Sequence, residues 1–242
     1  MRDGYSVSQD GAIVRLTLER PDDGNMVTLA MARDIASDIR EAGSDAAVHA
    51  IVLRSKGSDF CKGRDPAGAP EGKPTTAVEM RSALIEPLLG VYRAIREADV
   101  PVITGVQGLA NGLGCGIVAI SDITIAAEDS RFATPEMRAN LPPTLAMLAH
   151  LDRIPPKSLL NMVYSTDTID AAHALAIGLV SEVVPSADLD KAVETLLGKL
   201  SDYERPSIVT CKAYLRNAAK ADYNTANDLA GNMLSVVLSS RR

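Results

Sequence analysis

Gly108-Leu109-Ala110-Asn111-Gly112-Leu113-Gly114-Cys115-Gly116 follows the apolar run Pro101-Val102-Ile103-Thr104-Gly105-Val106 and leads into an apolar segment that ends near Ser121. The run before it is short and rich in β-branched residues, so it reads as a buried strand, and the segment after it reads as a helix. The glycine-rich stretch is then a strand-to-helix turn. Free amides at a helix N-terminus favour phosphates, carboxylates or developing oxyanions. Glycines 112, 114 and 116 are spaced G-x-G-x-G rather than G-x-G-x-x-G, and they lie mid-chain, both of which disfavour a dinucleotide-binding oxidoreductase. Close packing of an apolar helix is the competing explanation for them.

On either side of this turn, Asp122-Ile123-Thr124-Ile125-Ala126 is another strand, and Ala12 to Leu18 alternates as a strand before the turn Arg20-Pro21-Asp22-Asp23-Gly24. Thr28 is placed to cap a helix whose apolar positions are Ala32, Ile35, Ala36, Ile39 and Ala42, with Gly43 ending it. His49 to Arg54 is a short strand. Residues 63–76 hold three glycines and three prolines, a composition that predicts an irregular mobile loop, able to act as a lid over a bound ligand. Met80, Leu84, Leu88, Val91 and Ile95 mark a long helix bent at Pro87. Beyond residue 135 helices dominate, with one more strand at Leu179 to Val184, an apolar stripe from Leu189 to Leu200 and another from Ala226 to Val237. An α/β core over residues 1–185 is therefore expected, followed by a helical oligomerisation region over 186–242.

Composition limits the chemistry. The 242 residues carry 46% hydrophobic and 23% charged side chains, values of a globular chain. A net charge of −6, two Phe, six Tyr and no Trp argue against nucleic-acid partners, and the absence of a long apolar run argues against a membrane partner. Cys61, Cys115 and Cys211 are too scattered for a disulfide framework or a zinc site, and the N-terminus has no apolar targeting segment, so a reducing, cytoplasmic location is expected. His49, His150 and His173 have no metal-ligand spacing, and no G-x-S-x-G elbow is present. Two further segments carry possible chemistry. In Asp59-Phe60-Cys61-Lys62-Gly63-Arg64-Asp65 a glycine bend turns the next amide outward, as an oxyanion hole requires, although an ordinary surface turn has the same composition. In Phe132-Ala133-Thr134-Pro135-Glu136-Met137, Thr134 is placed to cap a helix with Pro135 at its first position. Glu136 then either serves the helix dipole or, facing an apolar cleft, becomes an acid or base with a raised pKa.

In this order and spacing the segments resemble the crotonase superfamily, the enoyl-CoA hydratase/isomerase family. The resemblance also takes in Arg20-Pro21 to Asn25, Ala50 to Arg54, and Ala176-Ile177-Gly178-Leu179-Val180 with Val183-Val184-Pro185. It implies an α/β, crotonase-like spiral of ββα units with a helical C-terminal trimerisation region, assembled as a homotrimer or a dimer of trimers. It implies an acyl-CoA thioester substrate, as in fatty acid metabolism, and no cofactor apart from the CoA of that substrate. Carried over by position, the backbone amides of Arg64 and Leu113 form the oxyanion hole and Glu136 is catalytic, with Lys62, Asp65, Pro66, Ala67, Gly112 and Gly116 toward the substrate.

Hydratases of the family pair two glutamates, and here the first position is Gly116. Water addition is difficult for one carboxylate, whereas a 1,3-proton shift through an enolate needs only one base. The resemblance thus favours double-bond isomerisation. The alternatives are a hydratase (lyase) with a substitute second acid and a catalytically weak acyl-CoA-binding subunit. Lys56, Lys62, Arg64 and Arg20 are the basic residues available for CoA phosphates. Beside the family pattern the chain ends early, at Ser239 to Arg242, which predicts an open pocket or one closed by a neighbouring subunit.

Overall fold

A hairpin of β1 (Tyr5–Asp10) and β2 (Ile13–Leu18) opens the chain, in a computed structural model that describes residues 2–67 and 74–240. The strand at 12–18 is present as β2. Its antiparallel partner β1 carries mixed polar residues and gives no comparable apolar signal. α1 (Leu29–Ser44) is capped by the Thr28 hydroxyl, which accepts from Met31 N at 3.1 Å. Gly43 does not end this helix. It lies within the last turn, where a Cβ would press to 2.9 Å from the Ala98 Cβ, so its smallness serves packing.

β3 (Ala50–Ser55) is followed by a helical stretch built of α2 (Ala77–Met80), a π turn over Arg81–Ile85 and α3 (Glu86–Glu97). The bend expected at Pro87 is realised as that π turn. A proline has no N–H to give and its ring crowds the carbonyl one turn back, so the ladder widens just before it. Next come β4 (Val102–Val106), β5 (Leu109–Asn111), α4 (Leu113–Ile120), β6 (Ile123–Ala127) and β7 (Arg131–Ala133). The remainder is α5 (Thr144–His150), α6 (Pro156–Ser165), β8 (Ile169–Asp170), α7 (Ala171–Ala176), β9 (Glu182–Val184), α8 (Leu189–Asp202), α9 (Arg205–Ala218) and α10 (Tyr223–Ser239).

The strands form two sheets. The larger has the order β1-β2-β3-β4-β6-β9, parallel throughout except for the opening hairpin, and the smaller has the order β5-β7-β8. Because helices cover both faces of the larger sheet, its central strands are continuous apolar runs rather than alternating ones. β4 is buried along its whole length. The one polar pair inside this ladder, Thr104 beside Thr124, is satisfied by a 2.6 Å hydroxyl contact. α1, α3 and α4 pack on one face, while Leu189, Val193 and Leu197 of α8 pack on the other against Ile13, Val52, Ile103 and Ile125. The two-residue strand β8 was not evident in the sequence, since it is held in place only by pairing with β7. Of the loop at 63–76, residues 68–73 lie outside the described residues, and the lid reading falls largely on them.

Candidate active site

The smaller sheet and an extended stretch at 61–65 position the site. Cys61 bridges to β5, donating its N–H to Leu109 O at 3.1 Å and accepting from Asn111 N at 2.9 Å. Two residues later the chain switches partners: Val27 N donates to Gly63 O at 3.0 Å, and Asp65 N donates to Val27 O at 2.9 Å. Gly63 makes the switch possible with φ +114°, a conformation open to glycine and rarely to other residues. In a parallel bridge the residue between the two bonded ones turns its own N–H to the other side. The Arg64 N–H is therefore directed away from Val27, and it makes no hydrogen bond among the described residues.

On that other side stands the glycine-rich turn. A Cβ on Gly63 would lie 3.3 Å from Asn111 O and 4.0 Å from Leu113 N. Leu113 is the first residue of α4, so its N–H has no partner within the helix and none elsewhere among the described residues. Two unspent amides thus border one cavity of about 860 Å³, whose lining includes Gly63, Arg64, Gly112, Leu113, Tyr92 and Glu136, with Leu84, Leu88, Pro142 and Leu145 as apolar walls.

Glu136 enters this cavity from a short 3₁₀ turn, Glu136–Ala139. The expected Thr134 cap is absent. Pro135 precedes the turn directly, the Thr134 side chain makes no capping bond, and its buried hydroxyl is unpartnered. Glu136 is therefore not held as a dipole-compensating residue of a regular helix. Its Oε2 is buried with no hydrogen-bond partner, and burial pushes its pKa upward, opposed only by its own backbone N–H. Gly112, at φ +52°, sits so close that a Cβ would lie 2.9 Å from Glu136 Oε1.

The other two glycines of the turn also answer to close approach. A Cβ at Gly114 would overlap the Cys61 carbonyl oxygen, and one at Gly116 would overlap the Tyr92 hydroxyl. The packing explanation for these glycines holds at each position, and at 112 and 116 the neighbour is a polar group of the cavity.

The structure sorts the remaining site residues. Lys62, Arg64, Gly112, Leu113 and Glu136 line the cavity; among the described residues Asp65, Pro66, Ala67 and Gly116 do not. Asp65 is turned to Arg20 Nη1 at 2.8 Å and accepts from Ala67 N at 2.8 Å, so its carboxylate is already spent on the loop's own structure. Gly116 contributes no surface, because Tyr92 covers it. The basic cluster is also mostly paired: Lys56 with Glu19, Lys62 with Asp59, and Arg20 with Asp23 and Asp65. Arg64 alone of the four makes no ion pair among the described residues, and Arg81, 3.7 Å from Glu86, joins it on the cavity lining.

Two features escaped the sequence. Tyr92 lies just off the apolar stripe of its helix, where nothing local marks it. Cys115 meets His150, with Sγ 3.6 Å from Nε2, while Nδ1 donates to Ala146 O at 2.6 Å. Burial drives the Cys115 thiol up to about 12 and the His150 imidazole down, so both are neutral packing partners rather than a thiolate–imidazolium pair. No group of three or more metal-binding side chains exists among the described residues, and no helix there is long and apolar enough to cross a membrane.

A sequence profile of the enoyl-CoA hydratase/isomerase family matches residues 8–241. The chain belongs to that family. Human enoyl-CoA hydratase domain-containing protein 3, mitochondrial, is 30% identical over 221 residues, which cover 91% of this chain and 72% of that protein. The crystal structure of an enoyl-CoA hydratase from Mycobacterium smegmatis superposes with a TM-score of 0.91 at 27% identity, covering 98% of this chain and 91% of the other. The CoA complex of a Thermobifida fusca YX protein assigned as an enoyl-CoA hydratase gives a TM-score of 0.85 at 26% identity, covering 98% and 93%. The chain shares the crotonase fold of these relatives.

Proposed function

We propose that this member of the enoyl-CoA hydratase/isomerase family stabilises the enolate of an acyl-CoA thioester, with the Arg64 and Leu113 amides on the carbonyl oxygen and Glu136 as the acid/base. The observation that carries the reading is the placement of an unpartnered, desolvated carboxyl in the same cavity as two backbone donors with no partner of their own. An amide left unbonded beside a cavity is expensive unless a ligand satisfies it. The CoA held by the Thermobifida fusca neighbour supports the ligand class. Arg64, which makes no ion pair among the described residues, and Arg81, paired only at 3.7 Å with Glu86, are the lining cations for its phosphates, and the apolar walls suit an acyl chain.

With one carboxylate on the lining among the described residues, the simplest reaction is double-bond migration. The Glu136 carboxylate removes a proton from the α-carbon of a 3-enoyl thioester, the negative charge passes to the thioester oxygen between the two amides, and the same carboxyl returns the proton at the γ-carbon. Atoms and charge balance with no further reactant. Hydration is the second reading, and it requires another polar group to hold the water. No cofactor beyond the CoA of the substrate enters either scheme. Assembly as a homotrimer or dimer of trimers belongs to the same proposal, supported by the exposed apolar side chains of Leu215, Leu234, Val236 and Leu238 on α9 and α10; sedimentation should give three or six times the chain mass.

The test is a panel of 2-enoyl- and 3-enoyl-CoA thioesters assayed separately for hydration and double-bond migration. Glu136→Gln should cut the measured turnover by about 10²–10⁴-fold, and full activity in that variant would reject the role given to Glu136.

A further inference from the structure

Of the polar side chains lining the cavity among the described residues, Tyr92 is the one that is buried; Lys62, Arg64 and Arg81 are exposed on its lining. Its phenol fills the volume that any side chain at position 116 would take. The hydrogen bond its hydroxyl donates, to Leu113 O at 3.5 Å, is longer than an ordinary O–H···O bond, and among the described residues nothing donates to the oxygen. Burial, and then the neighbouring Cys115 and Glu136, keep the phenol protonated. A neutral hydroxyl both donates and accepts, and Tyr92 lines the same cavity as Glu136, the carboxyl on that lining among the described residues.

We propose that Tyr92 is a second catalytic group of this site: its Oη holds the oxygen that joins or leaves the carbon β to the thioester, an attacking water or a departing hydroxyl, while Glu136 handles the α-proton. The proposal rests on the enolate reading above and extends it from migration to water addition. In hydration the Glu136 carboxyl gives its proton to the α-carbon, water oxygen bonds to the β-carbon, and the resulting carboxylate takes the proton that water loses. One molecule of water is added, the glutamic acid is regenerated, and Tyr92 ends with the proton it began with. Its task is to orient the oxygen, which a carboxyl occupied at the α-carbon cannot do unaided.

The two reactions separate this role from a structural one. Migration never forms a bond at a β-oxygen, so it does not need Tyr92. A disturbance passed through the Leu113 peptide would reach both reactions, because each places the negative charge of its enolate on the thioester oxygen between the same two amides. Tyr92→Phe removes only the hydroxyl and preserves the ring against Gly116. The variant should lower hydration of a 2-enoyl-CoA about tenfold or more, with 3-enoyl to 2-enoyl migration and deuterium uptake at the α-carbon in D₂O within about twofold of the parent. An unchanged ratio of hydration to migration in Tyr92→Phe overturns the role, and so does a parent protein that migrates the double bond and exchanges α-protons yet adds no water. A parent that does neither removes the enolate reading itself, which is a different failure.

Discussion

Asp65, one residue past the cavity-lining Arg64, and Glu136, on the lining itself, both sit on irregular segments, and their environments diverge. Asp65 is 5% exposed and bound to the Arg20 guanidinium and the Ala67 amide; these bonds hold its carboxyl below the usual range despite burial. Glu136 is partly buried, has an oxygen with no partner, and is held above the usual range by loss of solvent. Burial is common to both, and the presence of a partner decides what it does. A paired acid locks a loop in one shape. An unpaired one waits for a ligand and weakens the fold while it waits.

The largest effect expected is on catalysis. Glu136→Gln should cut acyl-CoA turnover by about 10²–10⁴-fold with the circular-dichroism spectrum unchanged, whereas Asp65→Asn should leave far more activity per folded molecule. Equal losses in the two variants would erase the distinction. Next is stability. Asp65→Asn breaks a covered ion pair whose arginine keeps some solvent contact, and it should lower unfolding free energy by about 2 kcal/mol in urea melts. Glu136→Gln should move stability the other way at neutral pH, since it removes a charge that folding desolvates.

The smallest and most discriminating effect is the pH dependence of those stability changes. Asp65 has a depressed pKa, so its contribution is present above the ordinary value of 3.8 and is lost as pH falls through its folded value; the deficit of Asp65→Asn should shrink there. Glu136 has a raised pKa, so its charge costs stability above its folded value and costs nothing below 4.5; the gain from Glu136→Gln should vanish on acidification past that point. Melts of both variants across this range check the two signs together. A gain from Glu136→Gln that persists at low pH would mean that the side chain's shape, not its charge, matters.

The same contrast shows where sequence reading succeeds. β4, β6 and α1 were legible because burial on both faces of a sheet, or on one face of a capped helix, leaves a local imprint of apolar residues and a capping hydroxyl. β1 and β8 were not, since both owe their form to a neighbouring strand. In the site, Arg64, Leu113 and Glu136 were found from their places in ordered motifs, and all three border the cavity. Asp65 stood in the same motif, but the motif could not show that Arg20 had already claimed its carboxylate. Thr134 does not cap a helix, because the Thr-Pro-Glu pattern is shared by helix starts and by the tight 3₁₀ turn that forms here.

The α/β class and the glycine positions at which the chain turns or makes close contact were legible along the chain, since they rest on local backbone preference and burial pattern, while the lone carboxyl was legible only through the family resemblance. Only the tertiary structure decided that Gly63 faces Leu113, that Asp65 is spent and Glu136 is not, and that a phenol from α3 fills the space beside Gly116. Partnership between side chains on different elements leaves no periodicity in either one, and such partnership sets which buried groups are free to react.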